Sequence, residues 1–268
     1  MTDQEYLFLR KRLLNMTGID LDSYKSQQMR RRLSAFIESS AAKDVVAYCH
    51  VIQRDELSLK KLCDFLTINV TEFFRDEWAF KDLQNLVLPE VVKYTSNLNI
   101  WSAGCSNGAE AFSLAMLLKE MPGRVNYRIL GTDMDLRSLE KAGAGGPFKA
   151  DSIKNIPQKY VIKYFTQKNN DFWVNEDVRE KISFRQHNLL VDSFEKEFDL
   201  IACRNVTIYF TNEAKDRLNQ RFHNALNPKG VLFIGATEFI PDAMRIGFSK
   251  MGTCFYRKEL TAVTSSIG

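Results

Sequence analysis

Residues that build metal centres and disulfide frameworks are scarce in this chain: three histidines and five cysteines among 268 residues. Cys49, Cys63, Cys105, Cys203 and Cys254 are odd in number, widely spaced and never in a C-x-x-C pair. That argues against a disulfide framework and a thiolate zinc site, and predicts reduced, mostly buried thiols. His50, His187 and His223 lack the i, i+4 spacing that sets two ligands on one helical face. They read as unrelated surface or boundary residues, and no metal is expected. No uncharged apolar run reaches the roughly 18 residues of a membrane-crossing helix. The opening Met1-Thr2-Asp3-Gln4-Glu5 is polar and acidic, unlike a secretory signal. A cytoplasmic protein is the expectation. The net charge is +4 and has no dense basic stripe, which argues against nucleic-acid binding. Internal repeats and low-complexity tracts are also missing.

What is present is an ordinary globular composition, 45% hydrophobic and 26% charged, in a chain long enough for one large domain or two unequal ones. From residue 4 to about 88 the apolar residues recur at helical spacing, as in Tyr6, Leu9, Leu13 and Met16, then Leu59, Leu62 and Leu66. Gly18 reads as a helix stop, and Asp76 as the N-cap of a helix running through Leu86 toward Pro89. Beyond Asn97 short apolar runs alternate with helical ones. Strands are expected at residues 98–101, 127–130, 182–184, 198–203, 231–234 and 253–256, and helices at 110–121, 136–142 and 213–226. This βαβα order implies a mostly parallel sheet with helices on both faces. The Gly-rich stretch 143–147 and the polar stretch 167–178 read as an insertion or surface excursion, and residues 261–268 as a loose tail.

In open α/β sheets ligands bind beyond the carboxyl ends of the strands. Here the first strand runs into Ser102-Ala-Gly-Cys-Ser-Asn-Gly108, a glycine turn from Gly104 to Gly108. It is not the G-x-G-x-x-G loop that cradles a pyrophosphate, so a nicotinamide dinucleotide is disfavoured. The next strand ends in Gly131-Thr-Asp-Met-Asp135, which puts Asp133 where a ribose diol could be gripped, with Asp135 as N-cap of the following helix. A nucleoside cofactor without pyrophosphate suits this pair, and S-adenosylmethionine fits. The alternative for the loop alone is a tight strand-to-helix turn with no ligand.

Four segments in order carry a resemblance: Thr67-Ile-Asn-Val-Thr-Glu-Phe-Phe-Arg75, Ile100-Trp-Ser-Ala-Gly-Cys-Ser-Asn-Gly108, His187-Asn-Leu-Leu190 and Cys203-Arg-Asn-Val-Thr-Ile-Tyr-Phe210. Together they resemble the CheR family of chemotaxis receptor glutamate methyltransferases, over nearly the whole chain. The resemblance implies a small all-helical N-terminal domain (1–75) and a Rossmann-like methyltransferase domain of α/β class (76–268). A small β-subdomain would be inserted at about 148–186. Position by position it implies that Asn69, Thr71 and Arg75 contact the cofactor from the helical side, and Gly104, Glu110 and Asp133 from the first two strands. Asn188, Leu189, Asn205 and Val206 would line the adenine, Tyr209 would face the transferring methyl group, and Arg75, catalytic as well, would pair with either the cofactor carboxylate or an incoming substrate carboxylate. Lys25, Arg30, Arg31 and Arg32 would form a positive ridge toward acidic chemoreceptor helices. The turn in the β-subdomain is shorter than in relatives that dock a receptor pentapeptide and lacks their glycines, so such a tether is not expected.

The implied reaction is methyl transfer from S-adenosylmethionine to receptor glutamates. A carboxylate nucleophile is ionised at neutral pH and needs no general base, in keeping with the lack of a catalytic histidine. Two other readings stay open. One is a methyltransferase for another substrate; the other is a regulatory protein that binds cofactor or its product, S-adenosylhomocysteine, with little or no turnover. The latter is motivated by Ser106-Asn-Gly-Ala-Glu-Ala-Phe112, where the family usually reads Ser-Thr-Gly-Glu-Glu-Pro-Tyr.

Overall fold

A computed structural model describes residues 1–66, 71–123 and 125–259. Contacts divide the chain into two units: Met1–Ile68 with Tyr209–Asp216, and Asn69–Ile208 with Arg217–Gly268. The first cut falls ahead of the boundary expected at 75/76.

The first unit is helical. α1 (Asp3–Thr17) starts in a capping box, in which the Thr2 side chain accepts the Glu5 N–H and the Glu5 carboxylate accepts the Thr2 N–H. It stops at Gly18, whose φ of 71° is the left-handed turn that a residue without Cβ adopts cheaply. α2 (Ser26–Glu38), α3 (Val45–Arg54) and α4 (Glu56–Leu66) follow, burying Met29, Leu33 and Ile37 from α2 and Tyr48, Cys49 and Ile52 from α3. The returning segment pairs Phe210 with Tyr24 as an isolated bridge, their rings edge to face at 5.2 Å. The basic cluster on α2 is less uniform than a solvated ridge. Arg31 is exposed, but Arg30 pairs with Asp3, and Arg32 donates to the Phe65 carbonyl at 2.7 Å and stacks on its ring.

The second unit opens with α5 (Glu77–Asp82) and α6 (Leu88–Val91), joined by the π-helical turn Leu83–Val87. Asp76 occupies the N-cap position but does not cap: its φ is 57° and its carboxylate bonds to Arg204 instead. Strands β1 (Asn97–Ala103), β2 (Asn126–Asp133) and β3 (Phe148–Lys149) come next. They are separated by α7 (Ala109–Lys119) and α8 (Leu136–Ala144). Short helices α9 (Ala150–Ile153) and α10 (Gln158–Tyr164) lead to β4 (Phe165–Lys168) and β5 (Asp171–Val174). α11 (Glu176–Arg179), β6 (Ile182–Gln186), β7 (Phe198–Cys203) and α12 (Asn212–Ala225) follow. β8 (Leu226–Ile234), α13 (Ala243–Ile246), β9 (Phe248–Lys250) and β10 (Phe255–Lys258) complete the chain.

Seven strands form one sheet in the order β6-β2-β1-β7-β8-β10-β9, in which β10 runs antiparallel to both of its neighbours, β8 and β9. β1 and β7 sit in the middle, and every residue of β7 is buried, as a strand covered on both faces requires. Neighbouring side chains on β1 point to opposite faces: Ile100 joins the cluster containing Ala115 of α7, while Trp101 packs on Phe222 of α12 at 5.6 Å. The α/β class and the mostly parallel sheet agree with the sequence reading.

Three expectations need correction. Residues 182–186 do not belong to the inserted subdomain: β6 pairs parallel with β2 at the edge of the main sheet, and the small sheet is β3-β5-β4 alone. Its central strand β5 alternates too weakly in polarity to separate it from a loop by sequence. The closing strand lies at Phe255–Lys258, and the short edge strand Phe248–Lys250 went unforeseen. His187 and His223, expected at the surface or its boundary, are both buried; His187 meets Trp101 edge to face at 5.6 Å, and His223 meets Phe248 at 5.1 Å.

Candidate functional site

Five parallel strands, β1, β2, β6, β7 and β8, deliver loops at their carboxyl ends, where an open sheet of this kind binds ligands. After β1 the chain turns sharply at Gly104, whose φ is 81°. The Gly104 and Cys105 N–H groups both donate to the Thr132 carbonyl of β2, at 2.8 and 2.9 Å. A Cβ on Gly104 would stand 2.5 Å from Val206 Cγ2, so only glycine lets the first loop lie against the one after β7. Gly108 closes the turn at a φ of 86° and starts α7.

Asp133 ends β2 and accepts two backbone N–H groups, from Ser106 at 2.8 Å and from Asp135 at 3.0 Å. It thereby ties the glycine turn to the second strand. Burial raises its pKa, and those N–H donors oppose the rise. Asp135 caps α8 through the N–H groups of Arg137 and Ser138, as expected.

Glu110 sits in the first turn of α7 and is buried. Ser102 Oγ donates to it at 2.7 Å, and the Arg204 guanidinium lies 3.7 Å away. Burial pushes its carboxyl up, and Arg204 and the Ser102 hydroxyl pull it back.

Arg204, directly after β7, is buried between the rings of Phe80 and Phe233. It donates to the Arg75 carbonyl and to Asp76, each at 2.8 Å. Those contacts hold a segment in which both neighbours of Arg75 are left-handed, Phe74 at a φ of 49° and Asp76 at 57°. Such non-glycine conformations are maintained only where the surroundings over-determine them. Asn205 is left-handed too, at 59°, and Glu238 holds it: this carboxylate accepts N–H bonds from Asn205, Thr207 and Gly235 at 2.7, 2.9 and 2.8 Å.

Arg75, Gly104, Glu110, Asp133, Asn205 and Val206 thus converge on linked loops. Thr71 lies half-buried just ahead of Phe73 and Phe74. Asn188 and Leu189 stand on the loop after β6, where the His187 N–H donates to the Asp133 carbonyl at 2.9 Å. The Asn188 side-chain oxygen is occupied by the Leu190 N–H at 3.0 Å, a turn-forming role. Asn69 lies outside the described residues. Tyr209, Lys25 just ahead of α2, and Arg30, Arg31 and Arg32 on α2 all group with the helical unit, where the Tyr209 carbonyl accepts the Lys25 N–H at 2.9 Å.

Sequence reasoning missed Arg204, Glu238, Ser102 and Ser106. A charged residue directly after the apolar run at residues 200–203 was a signal for Arg204. Glu238 left none, because its role depends on a chain reversal.

Residues 69–256 match the family model described as CheR methyltransferase, SAM binding domain, and residues 4–67 match CheR methyltransferase, all-alpha domain. The chemotaxis protein methyltransferase of Listeria monocytogenes is 34% identical over 257 residues, 96% of this chain and 98% of that one. That of Borreliella burgdorferi is 35% identical, covering 90% of this chain and 89% of its own length. Chemotaxis protein methyltransferase 1 of Pseudomonas aeruginosa is 34% identical, covering 82% and 85%. With a family model spanning well over half its length and relatives that align almost end to end, this chain belongs to the CheR methyltransferase family and carries its S-adenosylmethionine-binding domain.

Proposed function

We propose that this protein methylates glutamate side chains of chemoreceptor cytoplasmic helices, forming glutamyl methyl esters in sensory adaptation. The observation that carries the reading is the convergence of Arg75 and Glu110 on Arg204, of Asn205 on Glu238 and of Asp133 on the Ser106 N–H of the glycine turn, in a chain that aligns almost end to end with chemotaxis protein methyltransferases.

The residues suit the cofactor. Ser106 Oγ and Asn205 Oδ1 are buried without a hydrogen-bond partner among the described residues, on loops that the Gly104–Val206 contact brings together. Asp133 and Glu110 would hold the ribose and the ammonium group, and Asn188, Leu189, Asn205 and Val206 the adenine, with Asn69 and Thr71 completing the site. When bound, S-adenosylmethionine supplies an electrophilic methyl group on a sulfonium. The protein's own residues orient the partners and keep water from the carboxylate nucleophile. Arg75 would steer that carboxylate, and Tyr209 would border the methyl group. Lys25, Arg30, Arg31 and Arg32 would face the receptor. The β4–β5 turn has only Asn169 and Asn170, which supports recognition without a pentapeptide tether.

The departure of Ala109, Ala111 and Phe112 from the family pattern does not favour the reading without turnover. All three are fully buried, and Phe112 packs on Phe73, Phe148 and Phe184. The exchange is absorbed by the core. Radiolabelled methyl transfer to chemoreceptor membranes, followed by base-labile release of the label, tests the proposal. Label stable to base overturns the ester, and absence of label overturns the reaction.

A further inference from the structure

We infer that Arg204 is the positioning residue of this site: one buried guanidinium fixes the Arg75 main chain and supplies the counter-charge that Glu110 needs as a cofactor ligand. The inference deepens the proposed reading and rests on Glu110 as a cofactor ligand.

Three observations carry it. The guanidinium is almost fully buried, so its contacts are made in a medium that screens charge poorly. It meets two carboxylates, Asp76 at 2.8 Å and Glu110 at 3.7 Å, and the aromatic faces of Phe80 and Phe233. It also grips the Arg75 carbonyl at 2.8 Å, between two left-handed residues whose conformation needs outside support. A fork-shaped donor set can do all this from one position, and an ammonium group cannot.

Glu110 is the group whose charge depends on this arrangement. It faces the Ser102 hydroxyl, Arg204, Arg75 and Glu238, and the thiols of Cys105 and Cys203, which burial pushes well up and which stay neutral. Arg204 leads the groups that favour the carboxylate, against burial and the Glu238 charge. Without Arg204, the balance at Glu110 shifts toward the protonated form, which has no charge to attract an ammonium group.

The test is calorimetric binding of S-adenosylhomocysteine by the full chain, from about pH 6 to about pH 8.5, with no methyl acceptor present. The Arg204→Met variant is expected to bind about tenfold more weakly at neutral pH, and to recover relative to wild type as pH rises and Glu110 ionises. Glu110→Gln is expected to bind weakly at every pH, and adding it to Arg204→Met should abolish the recovery. A loss in Arg204→Met that does not change with pH, alongside a loss in Glu110→Gln, overturns the coupling alone. Unchanged binding by Glu110→Gln overturns the assignment of Glu110 as ligand and the inference with it. If Arg204→Met does not fold, Arg204→Lys carries the test: retained charge predicts a flat pH profile with about threefold weaker binding, from the lost fork. Unchanged binding in Arg204→Lys overturns the inference.

Discussion

Glu238 accepts the N–H of Asn205 at 2.7 Å and so holds a non-glycine residue in the left-handed region. The same carboxylate accepts from the Thr207 hydroxyl at 2.7 Å and the Gly235 N–H at 2.8 Å. In Glu238→Gln an amide would turn a donor toward these donors. The expected loss is about 2 kcal/mol of stability by denaturant titration. S-adenosylhomocysteine binding should weaken as well, because Asn205 and Val206 stand on the loop that is released.

Two glycines with similar backbone angles should respond differently to a methyl group. Gly18 has a φ of 71°, and a Cβ added there would meet nothing within 4 Å, so Gly18→Ala should cost only the left-handed strain, about 1 kcal/mol. At Gly104 the added carbon would meet Val206 Cγ2 at 2.5 Å, and one of the two loops must move. Gly104→Ala should weaken S-adenosylhomocysteine binding about tenfold or more, as displaced ligand contacts do. Paired thermal melts and calorimetry check both variants.

Burial depresses the pKa of both His187 and His223 below their ordinary value, and neighbouring Lys258 adds to the effect at His223. Folding therefore favours the neutral rings. Their contribution is present above the unfolded pKa of about 6.5 and is lost as pH falls through it toward the folded values. Burial raises Glu110 and Asp133, which work in the opposite direction and gain stability as pH falls. The drop in Tm between about pH 7.5 and about pH 5.5 should thus be smaller in His223→Phe than in wild type. An equal drop in the two proteins would show that His223 has no part in it.

The basic cluster on α2 offers a direct test of receptor steering. Because Arg30 and Arg32 have partners within the helical unit, Arg31 is the residue whose charge reversal disturbs the fold least. Arg31→Glu should slow receptor methylation several-fold at low salt, with the difference shrinking as ionic strength shortens the screening length below about 10 Å. S-adenosylhomocysteine affinity should stay the same. A low-salt methylation rate equal to wild type would rule out steering by this residue.

Much of the architecture could be read from patterning. β7 came out at its observed bounds because a strand buried on both faces is apolar almost throughout, here broken only by Asp199, and Gly18 and Asp135 were identifiable because caps are local chemistry. Asp76 looked like a cap for the same local reason. A buried arginine, 128 residues later in sequence, takes its carboxylate instead, and no local rule anticipates that. Ile182–Gln186 had its strand identified, but its sheet depends on pairing with β2, a long-range choice that alternation does not encode. In the site the glycine turn and Asp133 were legible because they recur at fixed places after strands. Arg204 and Glu238 act on backbone groups brought near only by folding, and neither has a spacing that marks it.

The segment Tyr209–Asp216 groups with the N-terminal helices although the chain on either side of it belongs to the methyltransferase unit. The polypeptide therefore crosses between units more than once, and no single cut separates them cleanly. A chimera that exchanged residues 1–68 for those of another protein would also have to replace the partners of Ser23, Tyr24 and Lys25 on Thr211, Phe210 and Tyr209. In evolutionary terms the helical unit is a poor candidate for independent shuffling: its sequence must change together with a stretch encoded about 140 positions downstream.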